Sequence, residues 1–230
     1  SVISSDLKSP IGSIFSAIDA KLQQTNQPDS LDLLIKENAE FCLKLIDEIL
    51  ELRAITEKDF SIDLTPVVLQ TLITSVIYSH RKEAGEKGLI LRYEYEGDFT
   101  DICILCDAYR IRRVLDNLIS NAIKFTEKGN IELRIEKGEI NSVIISVLDT
   151  GIGISDEKLA IILDKTKRYT TYGTSGEIGT GYGLMLSQEI IYQHQSELNI
   201  VSSKKGTCIS FSLPITAFNL EAPETKHTPL

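Results

Sequence analysis

The chain has 230 residues, 42% apolar and 25% charged, with 14 Gly, 6 Pro and a mean hydropathy of zero. That length accommodates one large or two modest domains with a real core, and the composition excludes collagen-like, mucin-like and largely disordered chains. A formal charge of −9 leaves no surplus of Lys and Arg to displace counterions, so nucleic acid is excluded as an expected partner.

The first 57 residues follow helical spacing. Ile3, Leu7, Ile11, Ile14 and Ile18 step by four, four, three and four along one face. Gln27-Pro28-Asp29-Ser30 breaks the pattern, with Ser30 the expected N-cap of a second helix. Leu31, Ile35, Asn38, Cys42, Leu45, Ile49 and Leu52 form a four-three seam there, flanked by Leu34, Phe41, Leu43, Ile46 and Leu50. That apolar face is too wide for one hairpin partner, which predicts a dimeric four-helix bundle.

From Phe60 onward strands alternate with helices. Thr65-Pro66 reads as an N-cap followed by Pro at the first helical position, predicting a helix that runs to Gly88. Leu89 to Tyr95 and Asp101 to Leu105 read as strands, and Asp107 caps a helix through Glu127 that Gly129 closes. Ile131 to Glu136 and Val143 to Leu148 form an expected hairpin over Lys137-Gly138. A short helix from Ser155 to Asp164 precedes a Thr- and Gly-rich stretch, Tyr169 to Gly181. A helix from Gly183 to His194 follows, and Leu198 to Val201 with Thr207 to Leu213 make the last hairpin. The expected organisation is 1–57 helical hairpin, 58–216 α/β layer domain and 217–230 turn-rich tail.

Four cysteines are too few for a disulfide scaffold, and the lone Cys103-x2-Cys106 lacks a second pair at zinc spacing. Reduced core thiols in a cytosolic domain are expected. No apolar run approaches the ~18–20 residues of a membrane span. Because the chain opens on Ser1-Val2-Ile3 without Met, it reads as a fragment, and a membrane anchor is expected only in a missing N-terminal region.

Three constellations carry chemistry. Asn117, Asn121 and Lys124 share one helical stripe at i, i+4 and i+7, beside the core stripe Ile111, Leu115, Leu118, Ala122 and Phe125. Carboxamide oxygens suit Mg2+ and an ammonium suits phosphate. Asp149-Thr150-Gly151-Ile152-Gly153 follows an apolar strand, so an acid able to accept from an amine precedes a backbone that turns tightly. Gly179-Thr180-Gly181-Tyr182-Gly183-Leu184 leads into a helix and offers N–H groups and a helix dipole to an anion. Walker A and dinucleotide-type glycine loops are absent, as is the eukaryotic kinase set.

In this order and spacing the three blocks resemble the ATP-binding Bergerat domain of sensor histidine kinases. Asp116 to Thr126 is similar to that family's N box, Asp149 to Gly153 to its first glycine box and Gly179 to Leu184 to its second. The expected fold is α+β: an antiparallel helical hairpin, dimerising as a four-helix bundle, followed by a Bergerat α/β sandwich. The resemblance implies ATP and Mg2+ as cofactors, with Asn121 as the Mg2+ ligand, Asn117 and Lys124 on the phosphates, and Asp149 on the adenine amine. Gly151 and Gly153 would make room for the base, with Thr207 beneath it. Thr174, Gly179, Thr180, Gly181, Gly183 and Leu184 complete the implied ATP contacts.

The hairpin resembles the family's acceptor segment in Asp6-Leu7-Lys8-Ser9-Pro10, but Ser5 stands where the family has the phosphoacceptor His. A serine hydroxyl is a weak nucleophile without an activating base, so slow or absent autophosphorylation is expected, with Asp6 matched to an imidazole. An engineered core fits this pattern, as does a native pseudokinase or partner-dependent subunit. Ile161-Ile162-Leu163-Asp164 stands where the family carries a Phe-x-Pro-Phe element. The resemblance implies a cytoplasmic kinase core that passes phosphate to a response-regulator receiver domain and pairs as a homodimer. The alternative is a nucleotide-set signalling module, or a regulator phosphatase aided by Ser9. A hydrolytic gyrase-like ATPase is disfavoured, since Asn117 stands where that class carries Glu.

Overall fold

The computed structural model describes residues 2–24, 29–57, 60–97, 102–139, 141–164, 169–177 and 179–216, the side chains of residues 2–7 excepted. Helix α1 (Val2–Gln24) carries Pro10 within it, and α2 (Ser30–Thr56) returns alongside. Three ion pairs set the antiparallel register: Lys8–Asp47 at 2.6 Å, Lys36–Asp19 at 2.5 Å and Lys21–Asp32 at 2.8 Å. The cap of α2 is Asp29 rather than Ser30, its carboxylate accepting the Leu31 N–H at 3.2 Å. Both residue types cap well, and the carboxylate also favours the positive end of the helix dipole.

Seven strands form one sheet in the order β1-β3-β7-β5-β4-β2, with β6 also on β7. They are β1 (Thr65–Val68), β2 (Ile90–Glu96), β3 (Cys103–Cys106), β4 (Asn130–Lys137), β5 (Ser142–Asp149), β6 (Asn199–Ser203) and β7 (Gly206–Thr216). Among the described residues only β2 and β4 run parallel; β7 pairs β6 along Gly206–Ser210 and β3 at Ile215 and Thr216. The expected helix start at Thr65-Pro66 is corrected here. Those residues open an edge strand against β3, and α3 (Leu69–Glu86) begins only after it. Proline lacks an N–H yet tolerates extended backbone, so an edge strand suits it, and Val67-Val68 favour strand too.

The alternation of the strands gives the sheet one apolar face. Register stacks Ile135, Ile145 and Phe211 in one row and Leu133, Val147 and Ile209 in the next. On this face lie α3, α4 (Ala108–Phe125) and α6 (Gly183–Gln193), and α5 (Asp156–Leu163) sits outside the core. Helix α4 buries Ile111, Val114, Leu115, Leu118, Ile119, Ala122 and Ile123, with Asp107 capping it through the Arg110 N–H at 3.1 Å. Cys103 and Cys106 are buried, as expected of core thiols, and neither is in a disulfide. The last turn of α2 joins this core through Ile55, which is 1% exposed. Glu51 secures the junction, accepting from Arg110 at 3.0 Å and forming an ion pair with Arg113 at 2.6 Å.

Candidate functional site

A cavity opens between α4, the end of β5, the start of α6 and α2. Its lining includes Asn117, Asn121, Lys124, Asp149, Gly153, Gly179, Thr180, Gly181, Gly183, Leu184 and Thr207. The three sequence blocks thus converge on one space, joined by Thr207 of β7.

The end of α4 is where they meet. Its last carbonyls have no partners within the helix and must find them outside. Phe125 O accepts the Ile152 N–H at 3.1 Å, and Lys124 O accepts the Thr174 N–H at 2.9 Å. The first block therefore holds the second, and the loop before the third, through backbone.

Asp149 ends β5 with one carboxylate oxygen committed. Oδ1 accepts the Gly151 N–H at 2.8 Å and the Thr207 N–H at 3.2 Å. Among the described residues Oδ2 takes no hydrogen bond, so it can accept from an amine in the cavity. Burial pushes this carboxyl above its usual range, and the two N–H groups oppose that shift. Gly151 and Gly153 owe their identity to backbone packing. A Cβ on Gly151 would sit 2.4 Å from Phe125 O. Gly153, at φ +68°, would place one 1.8 Å from Ser203 O. Gly151 and Thr174 do not line the cavity themselves; they hold the residues that do.

Asn117 donates to Ser187 Oγ at 2.9 Å, and a Cβ at Gly183 would press on the Asn117 carboxamide and force it to shift. The Asn121 carboxamide lines the cavity and, among the described residues, has no hydrogen-bonding partner in the protein. Burial and the nearby Lys44 ammonium lower the pKa of Lys124, against the pull of Glu83, Glu177 and Glu48. Helix α6 starts at Gly183 with no side-chain cap on its first turn, leaving N–H groups available to an anion. Two buried-edge amides, a cation and a free helix start fit a metal-bridged polyphosphate. Among the described residues no cluster of three His, Cys, Asp or Glu could hold a metal by itself. Carboxamide oxygen with phosphate oxygens is a donor set that matches Mg2+.

The sequence reading missed the contribution of α2. Lys44 and Glu48 line the same cavity, and the buried Glu48 carboxylate accepts a hydrogen bond from the Thr180 hydroxyl. Thr180 thus ties the second glycine block to the hairpin. Tyr169, Thr170, Thr171, Lys158 and Ile162 complete the rim. In the sequence Glu48 is one of several acids beside the apolar seam of α2, and nothing local sets it apart. Ser9 is exposed on α1, at a shallow groove shared with Lys8, Gly12, Ser13, Ser16 and Leu43. The side chains of Ser5 and Asp6 lie outside the described residues.

Residues 106–217 match the model of the histidine kinase-, DNA gyrase B- and HSP90-like ATPase family. Over 97% of its length the chain is 29% identical to the circadian input-output histidine kinase CikA of a Synechocystis strain, spanning 31% of that protein. In fold it is similar to full-length ShkA in complex with AMPPNP, with a TM-score of 0.76 at 22% identity, covering 94% of this chain and 45% of that one. It is also similar to histidine kinase ThkA in complex with the response regulator TrrA, at TM-score 0.64 and 22% identity, covering 94% and 62%. No described helix is long and apolar enough to cross a membrane.

Proposed function

We infer that this chain, a sensor histidine kinase catalytic core, binds Mg2+-ATP between its α4 and α6 helices and serves phosphoryl transfer to its helical hairpin and onward to a response-regulator receiver domain. The observation that carries the reading is Asp149: one oxygen is fixed by two backbone N–H groups and the other takes no hydrogen bond among the described residues, in the cavity lined by Asn117, Asn121 and Lys124. The free oxygen accepts from the adenine amine, with Thr207 beside it. Asn117, Lys124 and the loop Gly179 to Leu184 bind the phosphates. Asn121 would hold Mg2+ through its carboxamide oxygen, and the ion, when bound, offsets phosphate charge during transfer.

The hairpin, residues 1–57, pairs with a second copy through the exposed apolar face of α2, and residues 58–216 form the nucleotide-binding domain. Ser5 occupies the acceptor position, so the chain as it stands accepts phosphate very slowly or not at all. Calorimetric titration with Mg2+ and a non-hydrolysable ATP analogue tests the site. Binding is expected for the wild type and is strongly weakened in Asp149→Asn and Asn121→Ala. No binding at millimolar nucleotide, or equal binding by all three proteins, overturns the reading.

A further inference from the structure

Lys87 follows α3 and belongs to none of the three motif blocks. Its side chain is 14% exposed. An ammonium has three protons to donate, and here each has an acceptor: Ile123 O at 2.8 Å, Lys124 O at 3.0 Å and Glu177 Oε1 at 2.8 Å. The first two are carbonyls of the last turn of α4, which lack partners within the helix, and a cation there also complements the helix dipole. The third belongs to the segment 169–177.

That segment converges on the same anchor. Thr174 gives both its N–H and its hydroxyl to Lys124 O, each at 2.9 Å. The Glu177 carboxylate accepts the Ser175 N–H at 2.9 Å, and its carbonyl accepts the Gly173 N–H at 2.8 Å. A Cβ at Gly173 would press on the Glu177 carboxylate and lie 3.0 Å from Lys124 O, so a side chain there would displace this contact. The Lys87 ammonium holds the Glu177 carboxyl below its usual range despite partial burial. Tyr169, Thr170 and Thr171, from the start of this segment, line the cavity; Lys87 does not.

We propose that Lys87 is a positioning residue for the nucleotide, pinning segment 169–177 to the end of the helix that carries Asn121 and Lys124. The inference rests on the nucleotide reading given above. Lys87 acts through Glu177 and two carbonyls, and it does not itself line the cavity.

The test titrates the wild type, Lys87→Met, Glu177→Gln, the double variant and Lys87→Arg with Mg2+ and a non-hydrolysable ATP analogue. Amide hydrogen exchange is followed in the same proteins without nucleotide. Each single variant should bind about tenfold more weakly, the scale of one charge-assisted contact. The double variant should be no weaker than Lys87→Met, and Lys87→Arg should recover most of the loss. The amides of Gly173, Thr174 and Gly176 should exchange faster in Lys87→Met while those of β5 and β7 do not. Unchanged affinity in Lys87→Met with a wild type that binds overturns the inference and leaves the site intact. So do additive losses in the double variant, or exchange that accelerates equally across the sheet. A wild type that binds no nucleotide overturns the site and this inference together, whatever the exchange data show.

Discussion

Helices α2 and α4 share a similar apolar spacing, yet only one of them is covered. Helix α4 buries seven apolar residues against a sheet that is itself apolar on that face. Helix α2 leaves Leu31, Leu33, Leu34, Ile35 and Ile49 between 36% and 57% exposed, and two of its four buried residues are acids. Asp32 is held by Lys21 and Glu48 by Thr180. A sheet offers a surface wide enough to cover a whole helix face. A single antiparallel partner offers one stripe, so the hairpin is held by ion pairs and by its junction with α4. The lesson is that spacing shows which face seeks cover, and architecture decides whether it finds it.

The comparison breaks most visibly at the acceptor. Under the proposed function, the sheet unit is intact and the hairpin lacks one nucleophile. Ser5→His should then turn an unlabelled protein into one carrying an acid-labile, alkali-stable phosphoryl group from ATP. Asp6→Asn in that background should slow labelling by about 10²–10⁴-fold, the worth of general-base help. If Ser5→His takes no label while nucleotide binds, the hairpin has diverged beyond one residue.

Next in size is the sheet core. Ile119 is fully buried, so Ile119→Ala should lower the unfolding free energy by about 2–5 kcal/mol in urea titrations. The junction should show an intermediate effect. Burial raises the pKa of Glu51, with Arg113 and Arg110 opposing the shift. Removing its carboxylate leaves two cations less well satisfied, so Glu51→Ala should cost about 1–3 kcal/mol and speed proteolysis between α2 and β1. Equal proteolysis of the two proteins would show that Ile55 alone secures the junction.

A smaller effect is tied to pH. His80 of α3 contacts Asp116 at 3.0 Å and Glu83 at 3.4 Å. Burial lowers its pKa, but these two carboxylates outweigh that and bring it to about 9. A raised folded pKa means the stabilisation is complete below the unfolded value of ~6.5 and lost as pH rises through about 9. Asp116 is half solvated and shared with Arg112, so the contribution should be about 1–2 kcal/mol. His80→Gln should remove that slope between pH 6.5 and 9. The smallest intrinsic change belongs to Leu34→Ala, within about 0.5 kcal/mol for a single hairpin. If two copies pair through α2, the substitution instead raises the dissociation constant seen by light scattering, and residues 58–230 alone are monomeric.

Much of this was legible in the sequence. The Asp107 cap, the α4 stripe, the β4–β5 and β6–β7 hairpins and the glycine blocks are all written within a few residues of one another, where propensity and spacing decide. Three features were not. Pro66 suits the start of a helix as well as an edge strand, and only the partner strand β3 settles which. Glu48 enters the cavity through Thr180, 132 residues away. Lys87 stands outside every motif, and only the folding of segment 169–177 back onto α4 brings Glu177 to it. Local sequence determined the elements and the chemical groups this protein has to work with. Tertiary structure decided which of those groups meet, because a buried charge or open carbonyl must be satisfied by whatever the fold brings within about 3 Å, however distant in the chain.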